Sequence, residues 1–328
     1  MNAWAGRRVL VTGAGGFIGS HLAETLAREG ARVRAFVRYS SWGSWGWLDE
    51  SPLRAELEVL AGDLRDPETL APALHGVEVV FHLAALIAIP YSYVTPLAYV
   101  RTNVEGTVNL LEAARAAGAA RVVHSSTSEV YGSARRVPID EQHPLQGQSP
   151  YAASKIGADK LAESFYRSYE QPIAIVRPFN TYGPRQSARA VIPAIITQAL
   201  AGRPVQLGAL SPTRDFTFVA DTVRGFMLAG ETPRAVGRTI NLGAGQEIAI
   251  GDLARLIGTL LGREIAIVHD ESRDRPQQSE VERLCSDNRL ARELLGWSPQ
   301  VPLEEGLRLT IAWLAEHLER YRPEQYQV

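Results

Sequence analysis

Short apolar segments alternate with helical segments over the first half of the chain, and this alternation constrains the fold more than any other feature. Strands are predicted at residues 7–12, 32–37, 57–61, 79–83, 121–125 and 173–177, with helices over 19–29 and 98–117 and from Tyr151 onward. Strands separated by helices are joined by right-handed crossovers and form a parallel sheet with both faces covered. The sequence therefore predicts an α/β fold with a doubly wound parallel sheet.

The pattern changes after Pro184, where proline and glycine are denser and the predicted strands are shorter. These strands lie at residues 205–207, 238–241 and 264–268, with helices between them. We expect residues 1–184 to form the domain built on the sheet and residues 185–328 to form mainly a smaller α/β substrate lobe, with approximate and interleaved boundaries. Ligands of doubly wound sheets bind at the carboxyl edge of the strands, where this lobe is expected to lie.

A glycine-rich loop follows the first strand and opens the first helix. Gly13, Gly16 and Gly19 occur where a tight turn, close approach of the backbone to a pyrophosphate and close helix packing each exclude a Cβ atom. Backbone N–H groups at the helix N-terminus, at Phe17 and Ile18, stabilise the phosphate charge. The loop therefore predicts a Rossmann-type dinucleotide-binding domain.

The second strand ends without the acidic residue that binds the adenosine ribose of NAD in many such domains. No Asp or Glu occurs between Glu29 and Asp49, and Arg38 stands at the end of the strand instead. A guanidinium group can bind a 2′-phosphate that a carboxylate would repel. Arg38 therefore favours NADP, while a solvated Arg38 leaves NAD as the alternative cofactor.

Tyr151 and Lys155 form a Tyr-x-x-x-Lys pair on a predicted helix. Side chains four residues apart lie on one helix face, and an adjacent ammonium favours the phenolate form of a tyrosine. Such a tyrosine can take a proton from a sugar hydroxyl while hydride leaves for a nicotinamide. The pair alone is common on ordinary helices, so its interpretation depends on the surrounding sequence.

Motifs along nearly the whole chain accompany this pair. They are GDL at 62–64, HLAA at 82–85, NVEGT at 103–107, HSSTSEVYG at 124–132, RPFNTYGP at 177–184 and RDFTFV at 214–219. With them the chain resembles the extended short-chain dehydrogenases/reductases, specifically the NDP-sugar epimerases, dehydratases and decarboxylases. The resemblance implies a tightly bound, recycled nicotinamide cofactor. It also implies further cofactor-binding residues, namely Asp63, Leu64, Leu83, Ala84, Ala85, Asn103, Tyr151 and Lys155.

Thr127, Ser128 and Glu129 stand where this family distinguishes its reactions. Sugar 4,6-dehydratases carry Glu at the third position, UDP-glucuronate decarboxylases share Thr-Ser-Glu, and plain 4-epimerases usually carry a small residue there. The segments SWGWL at 44–48, LIAIPYSY at 86–93 and RQSARAVIP at 185–193 are similar to the 4,6-dehydratases of the legionaminic acid pathway. Those enzymes act on a nucleotide-linked N-acetylglucosamine, either UDP- or GDP-linked here, and this resemblance gives the leading interpretation.

The implied reaction is a closed redox cycle. Thr127 binds the sugar O4, and Tyr151 removes its proton as C4 passes hydride to the cofactor. The new ketone acidifies C5, Glu129 removes the C5 proton, water leaves from C6, and hydride returns to C6. Ser128 stands where some dehydratases have an aspartic acid, so Glu129 itself would protonate the leaving hydroxyl. The product would be a 4-keto-6-deoxy sugar.

The resemblance implies that residues after the sixth strand and in the C-terminal lobe bind the nucleotide diphosphate, and it gives four candidates by position. Three of them are arginines, whose guanidinium groups suit diphosphates through bidentate geometry. The four candidates are Asn180, Arg185, Arg214 and Arg275. A solvated loop arginine is the alternative at Arg275. Family members commonly dimerise through the helix pair that corresponds to residues 98–117 and 151–169, so we expect a homodimer.

Composition limits the other classes of function. The net charge of −2 gives no basic surface for nucleic acid or for an anionic membrane, and no apolar run reaches the roughly 20 residues needed to span a bilayer. The single cysteine, Cys285, and the histidine spacing predict no metal site. With no segment of signal-peptide form, a cytoplasmic protein is expected.

Three alternatives to the dehydratase stay open. Two are enzymes, a UDP-glucuronate decarboxylase of the UDP-xylose synthase type and an NDP-sugar 4-epimerase. The third is an NAD(P)-sensing regulator that keeps the fold without turnover, which has no need of Thr127, Glu129, Tyr151 and Lys155 together.

Overall fold

A computed structural model describes residues 3–322 and contains a central sheet of seven parallel strands. In chain order the strands are β1 (Arg8–Thr12), β2 (Arg32–Arg38), β3 (Glu58–Gly62), β4 (Val79–His82), β5 (Arg121–Ser125), β6 (Ile173–Pro178), β7 (Asn180–Tyr182), β8 (Val205–Leu207), β9 (Thr213–Arg214), β10 (Phe216–Phe218), β11 (Thr239–Leu242), β12 (Ile248–Ala249) and β13 (Ile267–His269). The central sheet has the order β11-β6-β5-β4-β1-β2-β3. The predicted α/β fold is confirmed.

Helices cover both faces of this sheet. In chain order they are α1 (Phe17–Arg28), α2 (Pro67–Leu74), α3 (Ile89–Val94), α4 (Pro96–Tyr99), α5 (Gly106–Ala116), α6 (Pro150–Tyr169), α7 (Val191–Leu200), α8 (Val219–Glu231), α9 (Ile250–Leu260), α10 (Arg289–Leu295) and α11 (Leu303–Glu316). Val9 and Val11 of β1 pack in the same core as residues of α1 and α8, and Leu10 packs in the core with α2, α5 and α6. This alternation is that of a strand buried on both faces.

The last strand of the central sheet comes from the part of the chain that the sequence assigned to the smaller lobe. The strand predicted at 238–241 is β11, which pairs in parallel with β6 through registers such as Ile240 opposite Val176. Helix α8 also packs against β4, β5 and β6. Residues after 184 therefore complete the central sheet. Without β11, the edge of β6 would have unpaired backbone N–H and C=O groups.

The remaining strands form small sheets beside the main domain. β7 pairs with β10, β9 with β12, and β8 with β13. Helices α7, α9 and α11 pack on one another and on these strands. These elements lie outside the central sheet, and the predicted division into two domains stays a prediction.

The single helix predicted over 98–117 is divided in the structure. Between α4 and α5 the chain forms a wider π-helical turn at Val100–Glu105. Such turns are uncommon and insert an extra residue into the helical repeat, which re-aims the side chains that follow. Here the turn buries Asn103.

Glycine is required where α1 approaches the loop after β1. A Cβ atom on Gly19 would overlap the carbonyl oxygen of Gly13, which itself has a φ of 71°. Gly157 in α6 is different, since a Cβ atom there would lie 3.4 Å from Val104 Cγ2, an ordinary contact.

We expect Gly19→Ala to reduce the free energy of unfolding by about 2 kcal/mol, because either the loop or α1 must shift. Gly157→Ala is the matched control within a helix and should be neutral or stabilise by up to about 1 kcal/mol. Thermal unfolding of both variants checks this. Equal melting temperatures for the two would contradict the close packing at Gly19.

Candidate active site

The loop after β1 and the start of α1 form a surface suited to an anion. Helix α1 has no side-chain cap and no acidic residue in its first turn. The first N–H groups of a helix have no partner within the helix. Gly16 is exposed and Phe17 and Ile18 are half-buried, so these residues can approach a ligand. With the close approach at Gly13 and Gly19, these residues fit a dinucleotide pyrophosphate.

The ends of β2 and β3 place Arg38 beside Asp63. Arg38 lies opposite Gly62 in the parallel register, and its charge acts on the carboxylate of Asp63. The hydrogen bond from Arg65 to Asp63, at 2.5 Å, lowers the pKa of that carboxyl, and Arg38 adds to the effect. Leu64 follows, and its carbonyl accepts a hydrogen bond from Asn109 at 3.0 Å. The predicted 2′-phosphate position therefore already has an anionic neighbour.

The loop after β4 packs directly against the glycine loop. The backbone N–H groups of Leu83 and Ala84 both donate to the hydroxyl oxygen of Thr12 at 3.1 Å. A Cβ atom on Gly13 would lie 2.9 Å from the Ala84 nitrogen, and Ala85 follows, half-buried. The predicted residues of this loop thus line the glycine loop.

Asn103 connects this loop to the helix that carries the Tyr/Lys pair. Its side-chain oxygen accepts from Leu86 N at 2.8 Å, and its amide donates to Leu86 O and to Ser154 Oγ, each at 2.9 Å. Ser154 in turn donates to the carbonyl of Tyr151 at 2.7 Å. These bonds use the hydrogen-bonding capacity of the amide, so Asn103 positions the site. Its predicted contact with a cofactor stays a prediction.

Helix α6 presents Tyr151 and Lys155 on one face, one turn apart. The helix begins just before them because Ser149 caps it, accepting a hydrogen bond from Ala152 N at 3.1 Å. Tyr151 is 7% exposed and lies within hydrogen-bonding reach of Thr127. Lys155 is 4% exposed and donates to the carbonyl of Ser125 at 2.7 Å. The structure therefore brings the predicted Thr, Tyr and Lys together.

Burial dominates the electrostatics of this pair. It raises the pKa of the Tyr151 hydroxyl, the contact with Thr127 opposes this rise, and the charge of Glu129 adds to it. Burial lowers the pKa of Lys155 to about 8, while Asp159 opposes that fall. Lys155 is thus cationic below about pH 8, where it can stabilise a tyrosinate.

Glu129 lies in a short helical turn, Ser128–Tyr131, directly after β5. The hydroxyl oxygen of Thr127 caps the turn by accepting from Glu129 N at 3.2 Å, and Ser128 is buried. The carboxylate of Glu129 is 3.6 Å from Nη1 of Arg275. A carboxylate therefore stands beside the Tyr/Lys pair.

Arg275 is part of a row of alternating charges. Its Nη1 is 3.8 Å from Oε1 of Glu280, and the same oxygen is 3.0 Å from Nη2 of Arg214. The structure thus brings together two of the predicted substrate arginines. Asn180, another predicted substrate residue, is half-buried in β7, where its N–H donates to the carbonyl of Asp215 at 3.1 Å.

Arg185 lies apart from this row of charges, and its predicted contact with the diphosphate stays a prediction. Its guanidinium donates to Glu24 at 3.0 Å and to Ser20 at 3.2 Å, both on α1. Its backbone φ of 70° turns the chain toward that helix. The buried carboxylate of Glu24 forms an ion pair with the Arg185 guanidinium. Arg185 therefore connects the segment after β7 to α1.

Residues that the sequence interpretation missed lie behind Lys155. The buried carboxylate of Asp159 accepts hydrogen bonds from Ser126 at 2.8 Å and from Arg177 at 2.9 and 3.1 Å. His124 Nε2 is 3.4 Å from the other oxygen of Asp159. The only available signal was that Asp159 follows Lys155 by four residues, on the same helix face.

Residues 3–322 contain neither a metal-binding cluster nor a membrane-spanning helix. Within that range no group of three or more His, Cys, Asp or Glu side chains is arranged to bind a metal ion. No helix there has both the length and the apolar character required to cross a membrane.

Comparisons with known proteins identify relatives along almost the whole chain. The family model described as GDP-mannose 4,6 dehydratase matches residues 10–310. The UDP-glucose 4-epimerase of Mycolicibacterium smegmatis is 38% identical over 93% of this chain and 97% of its own. The UDP-glucuronic acid decarboxylase 1 of Xenopus tropicalis is 32% identical over 98% and 75% of the two chains.

A solved structure represents the third reaction type. It is the dTDP-glucose 4,6-dehydratase DesIV of Streptomyces venezuelae with NAD and TYD bound. It matches with a TM-score of 0.88 at 33% identity, over 97% of this chain and 100% of that chain. Epimerases, decarboxylases and dehydratases are thus all similar to this chain.

We expect Asn103→Ala to destabilise the protein by about 2 kcal/mol or more, because it removes three hydrogen bonds of a buried side chain, two to the half-buried Leu86 and one to the buried Ser154. Asn109→Ala is the matched control. Asn109 is half-buried and its side chain donates to Leu64 O, so about 1 kcal/mol is expected there. Denaturant unfolding of both variants measures the difference, and equal losses would contradict the connecting role of Asn103.

Proposed function

The chain belongs to the family of NDP-sugar dehydratases, epimerases and decarboxylases that the GDP-mannose 4,6-dehydratase model describes, and within it we propose a 4,6-dehydratase. The proposed substrate is a UDP- or GDP-linked N-acetylglucosamine. The observation that carries this proposal is the carboxylate of Glu129 beside Tyr151 and Thr127. A plain 4-epimerase does not require a carboxylate there, whereas removal of a C5 proton does.

The first step is removal of a proton from the sugar 4-hydroxyl. Thr127 orients that hydroxyl, and Tyr151 accepts its proton as a general base with Lys155 stabilising the tyrosinate. A bound nicotinamide dinucleotide supplies an acceptor for hydride from C4 and later a donor of that hydride to C6. The glycine loop and the N-terminus of α1 would hold its pyrophosphate.

The second step depends on Glu129. A ketone at C4 makes the C5 proton acidic, because the resulting negative charge delocalises into the carbonyl. Glu129 accepts that proton and delivers it to the C6 hydroxyl, which leaves as water. When hydride adds to C6, one proton, equivalent to the one taken from O4, adds to C5. Arg275, 3.6 Å from Glu129, holds the carboxylate at the sugar end of the site.

Arg275 also supports a second candidate, a UDP-glucuronate decarboxylase. That reaction requires a cation facing the sugar carboxylate, and the guanidinium beside Glu129 supplies one. The Xenopus tropicalis relative carries this activity in its name. A 4-epimerase, as in the Mycolicibacterium smegmatis relative, is the third reaction to be tested.

A panel of NDP-sugars separates these reactions. We expect the purified protein, with no cofactor added, to remove one water from UDP- or GDP-N-acetylglucosamine, as measured by mass spectrometry. GDP-mannose, UDP-glucose and UDP-glucuronate complete the panel. Loss of carbon dioxide from the glucuronate, or an isomer of unchanged mass, would replace the dehydratase by a sister reaction. No turnover of any sugar would favour the sensing regulator.

Glu129→Gln tests the proposed base directly. We expect kcat for dehydration to fall by a factor of about 100 or more, the usual contribution of a general base, while the bound cofactor is retained. Glu282→Gln is the matched control, since Glu282 is exposed. Product formation and the cofactor released on denaturation are measured together. Full turnover by Glu129→Gln would refute its role.

For the cofactor we propose NAD, which the DesIV structure contains. The carboxylate of Asp63 beside Arg38 supports this, because a 2′-phosphate there would meet an anion. We expect calorimetry on cofactor-stripped protein to give about tenfold tighter binding of NAD than of NADP. Tighter NADP binding that Arg38→Ala abolishes would instead establish the preference that the sequence alone favoured.

A further inference from the structure

Lys155 lies in front of a buried cluster of polar side chains. Asp159 follows it on α6, His124 lies on β5 and Arg177 on β6, and all three are buried. The cluster extends from Arg177 to the hydroxyl of Tyr131, to which Arg177 donates at 3.0 Å. The proposed mechanism uses none of Asp159, His124, Arg177 and Tyr131.

Together with Lys155, this cluster contains two buried cations and one buried carboxylate. Lys155 and Arg177 are cationic, and burial, which would lower the pKa of Arg177, is outweighed by Asp159 and Tyr131. Burial would likewise raise the pKa of Asp159, but His124, Arg177 and Lys155 hold it at about 2. One carboxylate therefore serves two buried cations.

The other groups that face Lys155 supply no negative charge. The charge of Lys155 acts on His82 on β4 and on His124 on β5, and burial lowers the pKa of both imidazoles, so they are neutral at pH 7. Tyr151 on α6 is neutral at rest because burial raises its pKa. Glu129, the nearby carboxylate on the other side, acts on Tyr151 and pairs with Arg275.

A buried lysine without a counter-charge readily loses its proton, because the desolvated ammonium is costly. An uncharged Lys155 would not stabilise a tyrosinate. With Asp159 in place the cluster carries one excess positive charge, and ionisation of Tyr151 would neutralise it. The arrangement therefore favours the ionised form of Tyr151, which is the form that accepts the proton of the sugar 4-hydroxyl.

We propose that Asp159 is a positioning residue that keeps Lys155 protonated. Arg177 competes with Lys155 for the negative charge of the Asp159 carboxylate. The inference rests on the Tyr151 proton-transfer step of the proposed function, which the dehydratase, decarboxylase and epimerase reactions share. It assigns a purpose to the buried carboxylate, whose hydrogen bonds to Ser126 and Arg177 fix its place.

The composition of the chain makes a direct test possible. Lys155 and Lys160 are its two lysines. In protein labelled with [ε-¹³C]lysine, Lys160→Arg leaves one signal, whose chemical shift against pH reports the pKa of Lys155. We expect a midpoint near pH 8 in this background.

Asp159→Asn in the same background should lower that midpoint by about one pH unit or more, because the amide keeps the shape and removes the charge. Glu163→Gln is the matched control, one turn further along α6, where Glu163 faces the surface beside Lys160. It should leave the midpoint unchanged. An unchanged midpoint in Asp159→Asn would overturn the proposal.

Arg177→Gln is a second variant, for use if Asp159→Asn does not fold. Its effect on the Lys155 titration midpoint should be opposite to that of Asp159→Asn. Removing the competing cation leaves Asp159 to Lys155 alone, so the midpoint should rise. A purely structural role for the cluster predicts no rise, and a fall would contradict the proposal.

The pH profile of kcat/KM gives a third readout, with whichever sugar the panel identifies. The cationic form of Lys155 is lost as pH rises through its pKa, so in Asp159→Asn the alkaline decline should move to lower pH. The loss of activity would then be small in acid and large in base, whereas a structural defect lowers activity equally throughout. The Lys155 titration needs no substrate, so the two proposals can fail separately. A shifted Lys155 midpoint in Asp159→Asn, without turnover of any sugar, refutes the proposed function alone. Turnover with an unshifted midpoint refutes this inference alone.

Discussion

The parallel register of the central sheet is the constraint on which the site depends. Strands β1 to β6 all run in one direction, so each connection returns over a face and every strand ends at the same edge. Loops distant in sequence meet there, as when the hydroxyl of Thr12 accepts hydrogen bonds from Leu83 N and Ala84 N. The sheet thereby sets the distance between the glycine loop and the face of α6 that carries Tyr151.

Two networks of charged side chains border that face of α6. They differ in whether a ligand could replace one of the paired side chains. The row from Glu129 through Arg275 and Glu280 consists of partly exposed pairs at 3.6 and 3.8 Å, loose enough for a polar ligand to replace one partner. The network around Asp159 is sealed, with hydrogen bonds of 2.8 to 3.1 Å. The first suits recognition of a charged substrate, and the second holds a fixed potential at Lys155.

The sequence predicted the elements whose signal is local. The six apolar runs became β1 to β6, and the Tyr151–Lys155 pair met Thr127 because helical spacing and strand ends determine both. Non-local features escaped prediction. β11 is short, and its position in the sheet is set by its pairing with β6. The π-helical turn that buries Asn103 has no distinctive amino-acid composition from which it could be predicted. The ion pair between Arg185 and the buried Glu24 on α1 also escaped prediction, because the two residues are remote in sequence.

The late arrival of β11 has a consequence for how the chain folds during synthesis. Until residue 242 has left the ribosome, β6 presents an unpaired edge, and the groove that α8 fills stays open. Exposed strand edges invite pairing with other chains. The first 184 residues carry the glycine loop and the Tyr/Lys pair, yet they lack the strand that completes the central sheet. Nascent chains paused before that point would be targets for chaperones that shield strand edges.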